Sequence, residues 1–353
     1  MDALQIVSFS EKDRWNGIVK SFADHDVYYM HEYMSAFRHT GDGSPCLIYY
    51  SGDPMRLCYV VLSSDIAESP RFTGVLEKGR YHDFATPYGY GGPLVSHYSS
   101  DEMSYFFALL KDYCNQNGIV SQFIRFHPLL ENQAFFADHC ELRSIKKTVV
   151  IDATNSATIY ANMEPRCRGA IQKAKQRDIQ INIDNSDQAK VEFIRLYLET
   201  MQRHHAAAYY FFNNAFFDDF FSNMEGSYNL FCAMSNKKII SAAIILCCNG
   251  NMHYHLSGSD EAFRQFSPNN LLLYTAACWG VDNGYHKFHL GGGVEVDDSL
   301  FLFKRSFNKK GTLNFYIGRS IFNQENFRQM VNLRTGSDPD FDPNNDYMIQ
   351  YRA

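Results

Sequence analysis

The chain has 353 residues, 45% of them hydrophobic, and a net charge of −6. Its length suits two domains of roughly 150–200 residues, and its composition excludes a disordered protein. The acidic balance excludes a generally basic surface, so we expect no DNA partner, and a tRNA would need a local basic patch. The nine cysteines form no C-x-x-C pair and are odd in number, which favours reduced thiols over a disulfide framework.

Neither the N-terminal segment nor the longest apolar run is typical of a membrane protein. The N-terminal sequence lacks the basic start and the continuous apolar stretch of a signal peptide. The longest apolar run, Ile239–Cys248, is too short for a transmembrane segment. The sequence therefore predicts a cytoplasmic protein.

The first half is predicted to contain, in order, a helix, two strands of a hairpin, a glycine-rich loop, a long helix and a strand: Glu11–Ala23, Cys46–Tyr50, Arg56–Ser64, Asp83–Pro93, Asp101–Asn117 and Ile119–Pro128. The long helix stops at Asn117-Gly118, where glycine suits the left-handed position beyond a helix end. The residues that follow lead to Ala153–Asn162, which we interpret as a link, and to a basic helix, Pro165–Arg177.

The second half repeats this order with three strands, a helix and a further strand: Asn229–Met234, Ile239–Cys248, Met252–Ser259, a helix that runs to Asn283-Gly284, and Tyr285–Gly293. Ser267 is a natural N-cap for this helix, and Pro268 is a natural first helical residue. The shared order of hairpin, helix, Asn-Gly stop and strand predicts two duplicated α/β folds with mixed sheets.

Residues suited to catalysis or ligand binding concentrate between Asn251 and Asn308. The helix that Ser267 opens offers free N–H groups to an anion or a carbonyl oxygen. The strand after it ends in three glycines, 291–293, where a ligand can approach the backbone closely. Lys304 follows this opening and is suited to hold a developing oxyanion or a phosphate. We predict that Lys304 is catalytic; the alternative is a solvated lysine at the start of a helix.

These segments, taken in order, resemble Fem-type (FemAB/FemX-like) peptidoglycan-bridge aminoacyltransferases and their GNAT-like relatives. The resemblance rests on SPNNLLLY, NGY followed by LGGG, LFLFKRSF, TPYGYGGP, RFHPLLEN, CRGAIQKAKQRDIQI and YLETMQRHHAAAYYFF, which together run from about Tyr81 to Phe307. It implies two GNAT-like domains packed with a cleft between them. We place them at residues 1–152 and, for the catalytic domain, 153–353. In the bridge-forming enzymes the lysine of the Phe-Lys motif lies at the reaction centre, and Lys304 occupies that position here.

The resemblance and the local patterns together give a set of expected substrate-binding residues. Tyrosines among glycines suit a stacking wall for a ring or a sugar, and the basic helix suits phosphates. The set is Asp83, Tyr88, Tyr90, Arg125, His127, Arg166, Arg168, Lys173, Tyr210, His255, Ser257, Asn269, Gly291, Gly292 and Arg305. For the basic helix the alternative is a solvated stripe. For Arg125 and His127, which share a strand face, it is a hydrogen-bonded structural role.

Two departures from the family pattern bear on the acyl donor. GNAT enzymes hold the pyrophosphate of coenzyme A with Arg/Gln-x-x-Gly-x-Gly/Ala, whereas residues 264–269 read RQFSPN and lack the glycines. The long charged coiled-coil arm of many tRNA-using relatives is also missing. We expect no tightly bound cofactor, with acyl-CoA or aminoacyl-tRNA as co-substrate. The missing arm and the acidic charge favour acyl-CoA over tRNA.

Other enzyme classes lack their signatures in this sequence. No G-x-S-x-G, Walker A or Rossmann glycine pattern is present, which argues against hydrolases, NTPases and dehydrogenases. No metal is expected, because the histidines at 253, 255 and 289 lack a carboxylate at ligand spacing.

Two function hypotheses follow from these patterns. The first is an N-acyltransferase that acts on an amine of a cell-envelope glycan or peptidoglycan precursor, with a small-molecule or nucleotide-linked glycan or peptide as the acceptor. The second is a catalytically inactive Fem/GNAT-fold protein that binds a nucleotide-sugar or a glycan. The sequence identifies no dedicated general base for the first.

Overall fold

The computed structural model describes residues 3–353, which fold into two compact units. The first unit takes the chain up to Ser144 together with Phe315–Ala353, and the second is Ile145–Asn314. The structure therefore divides the chain differently from the predicted boundary at residue 152. The C-terminal residues belong to the first unit because a strand near the end pairs there, with Ile317 opposite Arg125. Pairing over such a distance leaves no local pattern in the sequence.

The described residues form thirteen strands and ten α-helices. The strands are β1 Leu4–Ser8, β2 Ser44–Ser51, β3 Arg56–Asp65, β4 His82–Ala85, β5 Leu94–Ser96, β6 Ile119–Arg125, β7 Glu141–Asp152, β8 Gln180–Ile183, β9 Tyr228–Ser235, β10 Lys238–Cys248, β11 Asn251–Ser259, β12 Lys287–Gly292 and β13 Thr312–Ile321. The helices are α1 Lys12–Lys20, α2 His31–Phe37, α3 Ser100–Gln116, α4 Ser156–Asn162, α5 Pro165–Lys175, α6 Asp187–Arg203, α7 Asn214–Asn223, α8 Pro268–Asp282, α9 Ser299–Arg305 and α10 Gln324–Ser337.

Each unit contains a mixed sheet. In the first unit the strand order is β1-β2-β3-β4-β6-β13, and β5 pairs with β3. In the second unit it is β7-β12-β11-β10-β9-β8. One neighbouring pair in each sheet is parallel, β4 with β6 and β11 with β12, and a helix connects the two strands of that pair. The predicted duplication is confirmed, since β2-β3-β4-α3-β6 and β9-β10-β11-α8-β12 have the same order and directions.

Two details of the predicted helix ends have different outcomes. Gly118, which follows α3, has a φ of +68°, and a Cβ there would lie 2.3 Å from the carbonyl oxygen of Arg80. The predicted left-handed glycine is therefore confirmed. Pro268 does begin α8, but Ser267 has a φ of +57° and its side chain makes no capping hydrogen bond. The predicted side-chain cap by Ser267 is therefore wrong, although Ser267 does occupy the position before the helix.

The core of the second unit lies between its sheet and the helices α5 and α8. Buried leucines and alanines of α8 pack on aromatic and aliphatic side chains of the strands, including Phe231 and Phe288. On β11, Gly258 meets helix α6 without any side chain between them. A Cβ at Gly258 would lie 2.3 Å from backbone atoms of Leu196 and Tyr197.

None of the helices described within residues 3–353 combines the length and the apolar character needed to span a bilayer.

The contact at Gly258 gives a stability prediction. Gly258→Ala should lower the free energy of unfolding by about 1–3 kcal/mol, because α6 and β11 must separate to make room for a methyl group. The matched control is Gly169→Ala, since Gly169 lies within α5 and a Cβ there meets nothing within 4 Å. That control should be neutral or stabilising by up to about 1 kcal/mol. Urea unfolding followed by circular dichroism measures both. Equal midpoints for the two variants would contradict the prediction.

Candidate functional site

The two parallel strands of the second unit separate along their length. Strands β11 and β12 pair only at three positions, the last of which joins His253 to His289. Beyond it, β11 continues to Ser259 beside β10, and β12 continues to Gly292 beside β7. We call the resulting opening the β11–β12 wedge. Among residues 3–353, no strand pairs with either inner edge there, so these backbone groups are not held in a sheet ladder.

Irregular pairing on both outer sides accompanies this separation. The register of β10 against β11 shifts between Ala243 and Ile245, and that of β12 against β7 shifts between His289 and Gly291. Such bulges bend a strand away from its neighbour. Gly291 has a φ of +72°, a left-handed conformation that glycine adopts without strain. Gly291 thus contributes to the local geometry of the wedge, and the close approach of a ligand to this strand end stays a prediction.

Lys304 lies at this wedge. Helix α9 carries the side chain, which is only 8% exposed, and its Nζ donates a hydrogen bond of 2.7 Å to the carbonyl oxygen of Gly292. The same Nζ is 5.6 Å from the ring centroid of Tyr254 on β11. The Tyr254 hydroxyl is 2.6 Å from the hydroxyl of Ser257. The structure thus brings the predicted residues Lys304, Gly292 and Ser257 together around a tyrosine that sequence reasoning missed.

Asp298 organises the loop between β12 and α9. Its carboxylate accepts hydrogen bonds from the backbone N–H groups of Phe301 at 2.7 Å, Val294 at 2.6 Å and Glu295 at 2.9 Å. Burial opposes ionisation of this carboxyl group, but these N–H donors outweigh it and lower the pKa of Asp298. A charged Asp298 therefore caps α9 and fixes the loop. Its place before an apolar helical run was the available sequence signal.

Burial in the wedge makes Lys304 a titrating group near neutral pH. The pKa of Lys304 is lowered to about 7, mainly by desolvation and also by Lys146, against the opposing effect of Asp298. As an ammonium ion, Lys304 can stabilise a developing oxyanion. As a neutral amine, it can accept a proton. The side chain therefore fits either role in acyl transfer.

Two of the predicted basic residues meet at a single carboxylate. Glu164 lies 2.9 Å from the Nε of Arg166 and 3.7 Å from that of Arg305. Arg166 also donates to the carbonyl oxygen of Leu302 in α9. Arg305 therefore lies on the helix that carries Lys304 and Arg166 of α5 contacts that helix, while both side chains remain partly exposed.

The other predicted basic residues of α5 have separate environments. Arg168 donates to the carbonyl oxygen of Met163 at 2.9 Å and lies over the ring of Tyr160. Lys173 is exposed in the last turn of the helix. The basic helix is thus not one continuous binding face.

Three further predicted residues of the second unit have partners on other elements. His255 stacks on Phe220 of α7 at 5.7 Å, and burial lowers its pKa to about 3, so that it stays neutral. Asn269 accepts a hydrogen bond from Ser241 of β10. The carbonyl oxygen of Tyr210 accepts one from the hydroxyl of Tyr197. These contacts support the packing of α6, α7 and α8.

In the first unit, Asp83 is buried against the C-terminal residues. Its carboxylate pairs with the guanidinium group of Arg352 at 2.7 and 2.8 Å and accepts a hydrogen bond from Tyr351 at 3.1 Å. The structure therefore gives Asp83 an internal partner in place of the expected substrate. Sequence reasoning could not foresee this, because the partners lie at the far end of the chain.

The remaining predicted residues of the first unit pack around an aromatic cluster. The carbonyl oxygen of Tyr88 accepts a hydrogen bond from Tyr33 at 2.8 Å, and the ring of Tyr90 packs edge-on against Tyr28 at 5.5 Å. His127 is fully buried, 3.3 Å from the carboxylate of Asp26. Its neighbour Arg125 donates its backbone N–H to the hydroxyl of Thr86 at 2.9 Å.

The equivalent strand pair of the first unit has no such opening. Strands β4 and β6 stay paired to the end of β4, where Ala85 lies opposite Phe123. Beyond that point, Thr86 donates to the carbonyl oxygen of Phe123 at 3.0 Å and Gly91 donates to that of Arg125 at 2.7 Å. The loop TPYGYGGP thus closes the position at which the second unit opens.

Comparison with known proteins relates both the second unit and the whole fold to acyltransferases. Residues 161–305 match the model of the acetyltransferase (GNAT) domain. The structure of FemX is similar with a TM-score of 0.68 at 14% identity, over 92% of this chain and 99% of that one. A C-terminal domain of a putative lysylphosphatidylglycerol synthetase from Agrobacterium fabrum gives a TM-score of 0.54 at 13% identity, over 90% and 94%.

A tandem GNAT protein from the clavulanic acid biosynthesis pathway gives a TM-score of 0.51 at 8% identity, over 91% of this chain and 99% of that one. Among curated proteins, none matches this sequence. Residues 161–305 of the second unit, which include Lys304, thus match a GNAT acetyltransferase domain. The whole chain shares the fold of FemX and of a tandem GNAT protein.

The burial of Lys304 gives a prediction about pH and stability. Because its pKa of about 7 lies below the 10.5 of an exposed lysine, the folded chain binds fewer protons than the unfolded chain between these values. The free energy of unfolding of the wild type should therefore rise with pH across this window. Lys304→Met removes the buried amine and should stabilise the fold by about 1–3 kcal/mol at pH 7.

This gain should shrink as the pH rises toward 10, where the wild-type lysine is neutral in the folded state and the unfolded chain is losing its proton as well. Thermal unfolding of both proteins across pH measures the difference. Lys309→Met, at an exposed lysine beyond α9, is the control and should show no pH-dependent gain. A gain for Lys304→Met that stays constant with pH would contradict the expected cause.

Proposed function

We propose that the β11–β12 wedge is the transfer site of an N-acyltransferase. The observation that carries this proposal is the buried Lys304 ammonium on the Gly292 carbonyl, where β11 and β12 separate. A carbonyl compound that enters the wedge meets a cation together with backbone groups that have no strand partner. Such preorganised groups stabilise the charge that develops on a carbonyl oxygen during acyl transfer.

The proposed reaction has two steps. The acceptor amine attacks the carbonyl carbon of the activated acyl group, a C–N bond forms, and the carbonyl oxygen takes negative charge beside the Lys304 ammonium. The tetrahedral intermediate then collapses, the bond to the leaving group breaks, and the amide carbonyl re-forms. The proton that the amine loses goes to the leaving group, which for a thioester departs as a thiol. Holding both substrates in one opening supplies further rate enhancement.

For the donor, we propose an acyl thioester of coenzyme A in preference to an aminoacyl-tRNA. The GNAT domain match supports a thioester donor. The net charge of −6 offers little general attraction to tRNA phosphates. Arg166 and Arg305, which share Glu164, are candidates for contacts with a substrate phosphate.

For the acceptor, we propose an amine of a cell-envelope glycan or peptidoglycan precursor, in small-molecule or nucleotide-linked form. The similarity to FemX supports a peptidoglycan precursor. The similarity to a lysylphosphatidylglycerol synthetase domain makes a lipid headgroup the competing acceptor class. Both would present a nucleophile to the same wedge.

The catalytic prediction concerns Lys304. Lys304→Ala should lower kcat by about 100-fold or more, because the developing oxyanion loses its cation, while the KM for the acceptor changes little. The assay supplies acetyl-CoA and aminoacyl-tRNAs in parallel with amine-bearing peptidoglycan precursors, nucleotide-linked amino sugars and phosphatidylglycerol. Lys310→Ala, at an exposed lysine beyond α9, is the matched control and should retain full turnover. Equal turnover in both variants would refute the site. Acceptor binding without turnover from any donor would instead indicate an inactive binding protein.

The donor prediction is tested by binding. The wild-type chain should bind acyl-CoA, and any binding of tRNA should be weak at physiological salt. Fluorescence titrations at several salt concentrations measure both. Tight tRNA binding that weakens steeply with salt would overturn the preference for a thioester.

A further inference from the structure

A second lysine is anchored on the same short run of backbone as Lys304. The Nζ of Lys146 on β7 donates to the carbonyl oxygen of Gly293 at 3.1 Å and lies 3.4 Å from that of Val294. The Nζ of Lys304 donates to the carbonyl oxygen of Gly292, which immediately precedes Gly293. Two ammonium groups from different elements therefore bind three successive carbonyl groups at the edge of the wedge.

The same loop is held from its other side by Asp298. This carboxylate binds the N–H groups of Val294 and Glu295, whereas Lys146 binds the carbonyls of Gly293 and Val294. The loop between β12 and α9 thus has a cation on its carbonyl groups and an anion on its N–H groups. Its backbone conformation determines where the Gly292 carbonyl points, and with it the position of the Lys304 ammonium.

We infer that Lys146 is a positioning residue of the transfer site, which fixes the carbonyls of Gly293 and Val294 and sets the charge state of Lys304 through the repulsion between two neighbouring ammonium groups. This inference rests on the proposed function. Lys146 lies outside the segments that resemble known enzymes, and it precedes the residues 161–305 that match the GNAT domain.

The electrostatic part follows from the groups that face Lys304. They are Lys146 from β7, Asp298 just before α9 and Tyr254 from β11. Arg305, the next residue of α9, and Arg166 of α5 share the carboxylate of Glu164. Burial raises the pKa of Tyr254, so the phenol is neutral near pH 7. The arginines pair with Glu164. Asp298 and Lys146 therefore act on Lys304 in opposite directions, and removal of Lys146 should make Lys304 easier to protonate.

The test follows the titration of Lys304 directly and needs no substrate. The chain is labelled with lysine carrying ¹³C at Cε, and the Lys304 signal is assigned by its absence in Lys304→Met. In Lys146→Met the midpoint of the Lys304 titration should rise by roughly one pH unit. Lys146→Arg keeps the charge and should keep the midpoint close to that of the wild type.

The matched control is Lys147→Met. Lys147 is exposed and follows Lys146 on the same strand, so its side chain leaves the opposite face of the sheet. The control removes the same charge one residue away and should leave the midpoint unchanged. In the transfer assay, the pH at which activity changes should move upward in Lys146→Met and not in Lys147→Met.

An unchanged Lys304 midpoint in Lys146→Met would overturn the inference, even if hydrogen exchange showed a looser loop, because a merely structural role predicts no change in titration. An equal shift in Lys147→Met would overturn it too, since the effect would then be one of general charge. The proposed function can fail independently of this inference. That would be the result if Lys304→Ala retained full turnover while the titration midpoint of Lys304 still rose in Lys146→Met.

Discussion

The geometry of the second unit depends on where two parallel strands stop pairing. Beyond His253 and His289, β11 follows β10 and β12 follows β7, and a register shift lies on each outer side of the pair. A sheet normally pairs its interior strands along their whole length, since unpaired backbone groups are costly to bury. Within residues 3–353, the separation leaves backbone groups without a strand partner at an opening, which is the transfer site that we propose.

The lysine at this opening shows the usual conflict between stability and function. A buried ammonium ion costs free energy, and desolvation accordingly lowers the pKa of Lys304 to about 7. The Gly292 carbonyl and the nearby Asp298 offset part of that cost. In the reaction that we propose, the gain is a cation in a site from which much of the solvent is excluded, where its effect on a developing charge is larger than in water.

The two halves have the same order of strands and helices but different chemistry. In the first unit, the loop after β4 closes the strand pair with hydrogen bonds from Thr86 and Gly91. In the second unit, the corresponding position is open and is approached by α9 with Lys304. A duplicated fold therefore does not imply two sites, because the chemistry depends on how one strand pair ends.

The sequence by itself determined the order of elements, the duplicated mixed α/β fold and the GNAT relationship, since these depend on local periodicity, turn residues and motifs. It also led us to predict Lys304, Gly292 and Ser257 as residues of one site, and the structure places them close together. Only the tertiary structure decided that Asp83 pairs with Arg352, that residues 315–353 join the first unit, and that Tyr254 and Lys146 lie beside Lys304. These contacts join residues far apart in the chain, and their formation depends on strand register and packing, for which a single sequence carries no local signal.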